Sequence, residues 1–396
     1  MMFKTEFAPL ARPAILPDID NRSGLPAFAS VGDVLRAYEG DDAIFVLYPK
    51  KIAAAAKVFL NGFPGKVLYA VKANPHPAVL KTLWTSGVRT FDGASTRESE
   101  LVRAVAPSAK LFLMHPVKSR ATIRHAYNEG VRDFAFDSSD ELAKILEETG
   151  YADDLSLHLR LALPKGEAAM PLSGKFGATH EEAVELLRDA RHHAALLGVT
   201  FHVGSQCLNS AEYGRALAWV RAILHKAGVS IDSVDCGGGF PVAYPGMAPK
   251  PMDTYFDAIR EALQANGFDG LQVLGEPGRA LCAQGGSTLA RVELRKGEDL
   301  YLNDGSYGSL FDAAQCAWKF PVKLHRAAPR PAAPSEMFRF FGPTCDSLDV
   351  MNGPFDLPGD VGEGDWIEVC HLGAYGQALS SRFNGFYSET TVAVMA

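Results

Sequence analysis

Eight short β-rich runs recur along this chain, and the first seven are each followed by an amphipathic stretch of helical spacing, an alternation that limits the fold more than any other feature. The runs are VLYAV (67–71), RTFDG (89–93), LFLMH (111–115), DFAFD (133–137), SLHLRLAL (156–163), VTFHV (199–203), SVDCG (233–237) and LQVLG (271–275). Between them lie segments such as PAVLKTLWTSG, STRESELVRAV and THEEAVELLRDARHHAALLG, whose apolar residues return every three or four positions. Strands alternating with helices imply parallel β/α units, and eight of them fit a closed (β/α)₈ barrel better than an open doubly wound sheet. The expected barrel runs from Ala43 to Ala283. From residue 284 to 396 the texture changes to short strands divided by Gly and Pro, such as DLYLNDG, FPVKLHR and DWIEVCHLG, which predicts an all-β sandwich or barrel domain. The Pro/Ala-rich RAAPRPAAPS (326–335) reads as a hairpin connection inside that domain. Residues 1–42 are too few for a domain and are expected to supply a strand to it.

Composition narrows the partners. With 39 Lys+Arg against 46 Asp+Glu the net charge is -7, so no basic surface is available to dominate binding to nucleic acid or anionic lipid. The opening MMFKTEFAPLARPAIL is broken by Lys4, Glu6, Arg12 and two prolines, unlike the apolar stretch of a signal peptide, and no later run approaches the roughly 18 apolar residues of a membrane span. The six cysteines (Cys207, Cys236, Cys282, Cys316, Cys345, Cys370) form no CxxC pair, which suggests neither a disulfide framework nor a metal site. The expected setting is the reducing cytoplasm.

In a (β/α)₈ barrel the working residues sit at the C-terminal ends of the strands. Those ends carry Lys72, Asp92, Arg160, His202 with Ser205, the glycines 237–239, and Glu276 with Arg279. Singly, each has an ordinary reading: a solvated lysine, a core histidine, a tight GGGFP turn, a salt-bridged GEPGR loop. Together, an amine nucleophile, glycine N–H groups able to cradle phosphate, a carboxylate and an imidazole describe a pocket for pyridoxal 5'-phosphate.

YAVKAN, FHVGSQ, DCGGGFP, GEPGR, GPTCDSLD and GAYGQALSSRFNGF follow one another in this order, and from about Phe45 onward the chain resembles the alanine-racemase-type (fold type III) pyridoxal-phosphate decarboxylases, most of all their ornithine/lysine branch. The resemblance implies a barrel followed by a β domain. It also implies decarboxylation of a basic L-amino acid, ornithine or lysine, to putrescine or cadaverine in polyamine biosynthesis, by a homodimer with active sites at its interface. Carried over, Lys72 is the amine that holds the cofactor covalently. His202 stacks on the ring, and Glu276 accepts the hydrogen bond from the pyridine nitrogen and keeps it protonated. Ser205, Gly239, Gly278, Arg279 and Tyr375 match phosphate-anchoring positions, Gly238 and Pro277 lie beside them, and Asp92 and Arg160 orient the cofactor. Cys345 would act as general acid from the neighbouring subunit, Asp346 would meet the substrate's distal ammonium, and Phe383 and Asn384 would shape the site.

The chain departs from eukaryotic ornithine decarboxylases after YGS (307–309), where a Tyr-Asp pair is replaced by LFDAAQCAWKF. Asp312 is the candidate for the second amine contact, although it comes several positions early. Diaminopimelate and arginine decarboxylases of the same fold are alternatives within the enzyme class. The former pattern has Glu after the cysteine and an Arg-Pro segment, where this chain has Asp346 and LFDAAQ. Alanine racemase would share the barrel and lysine without needing GGGFP or Cys345. From another class, a non-catalytic regulatory binding protein would be marked by loss of the lysine or cofactor pocket.

Overall fold

The computed structural model describes residues 24–164, 166, 169–170, 174–326, 330–331 and 333–396. Two strands, β1 (Ala27–Phe28) and β2 (Ile44–Leu47), precede the barrel. Eight parallel strands then close on themselves: β3 (Lys66–Ala70), β4 (Thr90–Asp92), β5 (Lys110–Leu113), β6 (Asp133–Phe136), β7 (Ser156–Arg160), β8 (Leu196–Thr200), β9 (Ser233–Asp235) and β10 (Gln272–Gly275). Closure is made by β10 against β3, with Leu274 opposite Lys66 and Gly275 opposite Val67.

Short polar side chains start the helices directly after the strands. Ser95, Ser119 and Ser138 each accept a hydrogen bond from the backbone N–H three residues on, and Thr179 forms a reciprocal capping box with Glu182. Alternation along the strands sends one set of residues into the lumen, where Leu68, Phe112, Met114, Ala135 and Leu274 form a small apolar cluster. The other set, including Tyr69, Phe91, Phe134, Phe136, Leu157 and Val199, joins the main core beneath the helices. Each such fully buried aromatic or aliphatic side chain contributes about 1.5–3 kcal/mol.

The second sheet has nine strands: β1, β2, β11 (Gly286–Lys296), β12 (Asp299–Leu302), β13 (Val322–His325), β14 (Ser335–Phe341), β15 (Val350–Pro358), β16 (Trp366–Cys370) and β17 (Thr391–Val394). The long β11 binds its two halves together: its start pairs with β2 and β16, and its end, past a register shift at Val292/Leu294, pairs with β12.

Two sequence expectations change here. Ile44–Leu47, assigned above to the start of the barrel, pairs with β11 and β17 and so belongs to the second sheet. The barrel strands themselves begin at Lys66. The strands on either side of 326–335 are not paired as the two arms of a hairpin: β13 pairs with β16 whereas β14 pairs with β12 and β15. Part of that segment, 327–329 and 332, lies outside the described residues, as does residues 1–23 of the N-terminal segment. The described remainder of that segment adds β1 to the sheet, parallel to β17.

Candidate active site

The C-terminal rim of the barrel surrounds a small cleft lined by Lys72, His202, Ser205, Gly238, Gly239, Glu276, Gly278, Arg279 and Tyr375, with Ala70 and Phe240. Lys72 sits in the 3-10 turn Val71–Ala73 that ends β3. Solvent reaches its side chain, yet it is set deep among protein groups. Burial would lower its pKa, but Asp92, Tyr375 and Glu276 outweigh that and raise it. Lys72 therefore stays an ammonium.

Asp92, the last residue of β4, is buried and accepts a hydrogen bond from Met114 N at 3.0 Å. Burial, then Glu276, pushes its carboxyl up to about 7, with Lys72 opposing. Glu276 follows β10 and is 4% exposed. Burial first, and Asp235 next, push its carboxyl up to about 8, while Lys72 and Arg160 pull it down. Its Oε1 is buried with no hydrogen-bond partner. A buried carboxyl oxygen without a donor is costly, and a cationic N–H placed there would satisfy it and favour the ionised form.

His202 accepts a hydrogen bond at Nδ1 from Gly204 N at 2.9 Å, which puts the ring proton on Nε2. Burial, Arg160 and Lys72 hold its pKa well below the usual histidine range, so the imidazole is neutral. A neutral ring can lie against a cationic aromatic without charge repulsion. Arg160 ends β7, and its charge acts on Lys72, Asp92, His202 and Glu276 alike.

The other end of the cleft is built for an anion. Arg279 is 6% exposed, donates from Nη1 to Tyr244 Oη (3.1 Å) and Asp312 Oδ2 (2.5 Å), and has the Tyr375 and Trp318 rings 4.8 and 5.3 Å from its Cζ. Its Nε is buried and has no partner. Around it the backbone has no room for side chains. A Cβ on Gly238 would stand 2.8 Å from Glu276 O and 3.0 Å from His202 Nε2, and one on Gly239, at φ +99°, would stand 2.5 Å from Gly204 O. Ser205 is fixed at the lip by paired backbone bonds with Met170 (3.0 and 3.2 Å). Pro277 is buried beneath, its carbonyl accepting from Ala70 N. Tyr375, at φ +57°, is anchored through its N–H to Ala73 O at 2.8 Å. Pyridoxal phosphate fits this donor set: the partnerless Glu276 Oε1 suits the ring N–H, and the partnerless Arg279 Nε, with the glycine cradle, suits the phosphate.

The remaining expected residues lie elsewhere. Asp312 is buried with its oxygens on Arg279 and on the Cys316 thiol (3.2 Å), so it braces the guanidinium and does not line the cleft as an open amine contact. Cys345 is exposed, Phe383 is 44% exposed, and neither they nor Asp346 line the cleft. They form a separate group, in which Asp346 Oδ2 accepts from Tyr307 Oη (2.7 Å), Cys345 N donates to Asn384 Oδ1 (3.1 Å) and the Tyr307 and Phe383 rings lie 4.8 Å apart. Hydrogen bonds from Leu348 N and Tyr307 hold the Asp346 carboxyl below the usual range.

Sequence reasoning passed over Asp235 and Tyr307. Asp235 ends β9, is fully buried, and is pushed up to about 6 by burial while Glu276 and Gly237 N–H pull it down. Its place just before the GGG run was the available signal. Tyr307 stood in plain view in YGS, but only the fold brings it to Asp346.

The chain is similar to proteins already known. The profile described as pyridoxal-dependent decarboxylase, pyridoxal binding domain, matches residues 49–283. A lysine/ornithine decarboxylase of Selenomonas ruminantium is 34% identical over 337 residues, covering 82% of each chain. Antizyme inhibitor 2 of Xenopus laevis is 32% identical over 88% of this chain and 80% of its own. Among solved structures, an arginine decarboxylase of Paramecium bursaria Chlorella virus superposes with a TM-score of 0.81 at 28% identity, over 92% of this chain and 99% of its own. With that profile lying over the barrel whose rim carries the cleft, the chain belongs to the pyridoxal-dependent decarboxylases.

Proposed function

We propose that the cleft decarboxylates a basic L-amino acid, ornithine first and lysine second, and that two copies of the chain share each site. The observation that carries the chemistry is the meeting, in one cleft, of Lys72 with the partnerless atoms Glu276 Oε1 and Arg279 Nε. Bound pyridoxal phosphate supplies an electron sink for the carbanion that the departing CO₂ leaves. The chain does the rest. Lys72 would hold the group through its amine. Glu276 keeps a proton on the ring nitrogen, which deepens the sink. The neutral His202, in the lining of the cleft, would shield the bound ring from water. Arg279, Ser205 and the glycine N–H groups hold the phosphate end fixed.

A proton must then return to the substrate's α-carbon and the tail must be bound, and among the described residues the cleft's own lining offers neither a thiol nor a carboxylate for the tail besides Glu276, which is given to the ring nitrogen. Cys345 and Asp346 lie away from it on the same chain, beside the exposed apolar residues Leu348, Phe383, Phe386 and Tyr387. Burying that patch against a second copy would bring the partner subunit's Cys345 to the α-carbon and the partner subunit's Asp346 to a cationic tail. A neutral or acidic tail would leave that carboxylate unpaired. The retained Lys72, Glu276 and Arg279 argue against a regulator that only binds, despite the antizyme inhibitor among the relatives.

The test compares kcat/KM for ornithine, lysine, arginine and meso-diaminopimelate in wild type and Asp346→Ala. Ornithine or lysine should lead and should suffer most from the substitution. If diaminopimelate leads, or the substitution leaves rates and ranking unchanged, the basic-tail reading fails.

A further inference from the structure

We infer that Asp349 is a positioning residue that sets the Cys345 thiol and the Asp346 carboxylate relative to Tyr307, an assignment that rests on the shared-site reading above. Asp349 is 2% exposed and lies between two loops, 303–310 and 342–349. Its Oδ1 accepts from Ser306 N (2.6 Å) and Ser306 Oγ (2.9 Å), and its Oδ2 accepts from Thr344 N (3.1 Å) and Thr344 Oγ1 (2.7 Å). Ser306 immediately precedes Tyr307, and Thr344 immediately precedes Cys345. One carboxylate therefore grips each loop at the residue before its functional side chain. Tyr307 Oη then closes the ring by donating to Asp346 Oδ2 at 2.7 Å.

Two further features show that the carboxylate is built in. A Cβ on Gly305 or on Gly342 would come within 2.2 Å of Asp349 Oδ1, so both loops give up side chains to let it approach. Asp304, also buried, fixes the far side of the first loop by accepting from Gly305 N (2.8 Å) and Ser309 N (3.2 Å). All four partners of Asp349 donate. An asparagine would turn an NH₂ group toward two of them, and one loop would have to move. A misplacement of about 1 Å at reacting groups costs on the order of 100-fold in rate.

The experiment uses the full-length holoenzyme with Asp349→Asn and, as a second variant, Gly342→Ala. Both should bind pyridoxal phosphate with wild-type affinity and absorption band, because neither residue lines the Lys72 cleft. Both should lose on the order of 10- to 100-fold in kcat for ornithine or lysine. In mixed dimers each should restore activity with Lys72→Ala, which supplies an intact loop, and should fail to do so with Cys345→Ala. Wild-type kcat in both variants, loss of cofactor binding in both, or equal recovery with Cys345→Ala and Lys72→Ala would overturn the assignment. The control mixture of Lys72→Ala with Cys345→Ala separates the two readings. If it shows no recovery despite proven exchange, the shared site falls, and the homodimer kcat at unchanged cofactor affinity still decides for or against Asp349.

Discussion

Replacing Glu276 by Gln should damage catalysis and, in the apoenzyme, relieve a pH-dependent strain, two effects of opposite sign from one carboxyl. In the apoenzyme the carboxyl is pushed up to about 8 by burial and by Asp235. An acid whose folded pKa exceeds its unfolded value of about 4.3 binds more protons folded than unfolded between those two values. Stability must then fall as pH rises through that window. Integrated to pH 8, the loss from this group is on the order of 5 kcal/mol. Glu276→Gln cannot ionise, so denaturant unfolding of the variant apoenzyme from pH 5 to 8 should lack that share of the slope. In the holoenzyme a cationic ring N–H would meet Oε1, and the ionised carboxylate becomes the favoured form. At contact distances near 4 Å and an effective dielectric of about 20, such a pair attracts by about 4 kcal/mol. The neutral amide forfeits it, so kcat should fall on the order of 100- to 1,000-fold while cofactor stays bound through Lys72 and the phosphate end. Near-wild-type turnover would refute the role of Glu276, and an unchanged apoenzyme pH slope would refute the account of its burial.

Borohydride reduction of the holoenzyme, followed by peptide mapping, should label Lys72; a label on another lysine would move the site. Gly238→Ala places a methyl group against Glu276 O and His202 Nε2, and cofactor affinity by equilibrium dialysis should fall at least about tenfold. Unchanged affinity would mean that the glycine turn is not the cradle. On the shared-site proposal, Lys72→Ala and Cys345→Ala should each be nearly inactive, and mixing them under subunit exchange should restore activity; no recovery would mean that the site is built within one chain.

The barrel was legible because its signal is local and repeated. Each strand is a short apolar run, several of the helices start at a Ser or Thr cap such as Ser95, Ser138 or Thr179, and eight repeats leave little choice of closure. The rim residues were legible for the same reason: Lys72, His202 and Glu276 reach one cleft because each follows its own strand end. Partners that meet across hundreds of residues left no such trace. Nothing local in IFVL (44–47) says that it pairs with β11 and β17, some 240 and 350 residues on. Asp312 was weighed by its distance from YGS along the chain, but its oxygens meet a guanidinium from the end of the barrel. Nothing local in GPTCDSLD marks Asp349, around which the fold sets Ser306 and Thr344. Sequence by itself fixes strand and helix periodicity, and with it which side chains stand on the rim. Only the tertiary structure decides which buried charge is paired and which is left open for a ligand, because pairing depends on distances between segments that the chain order does not encode.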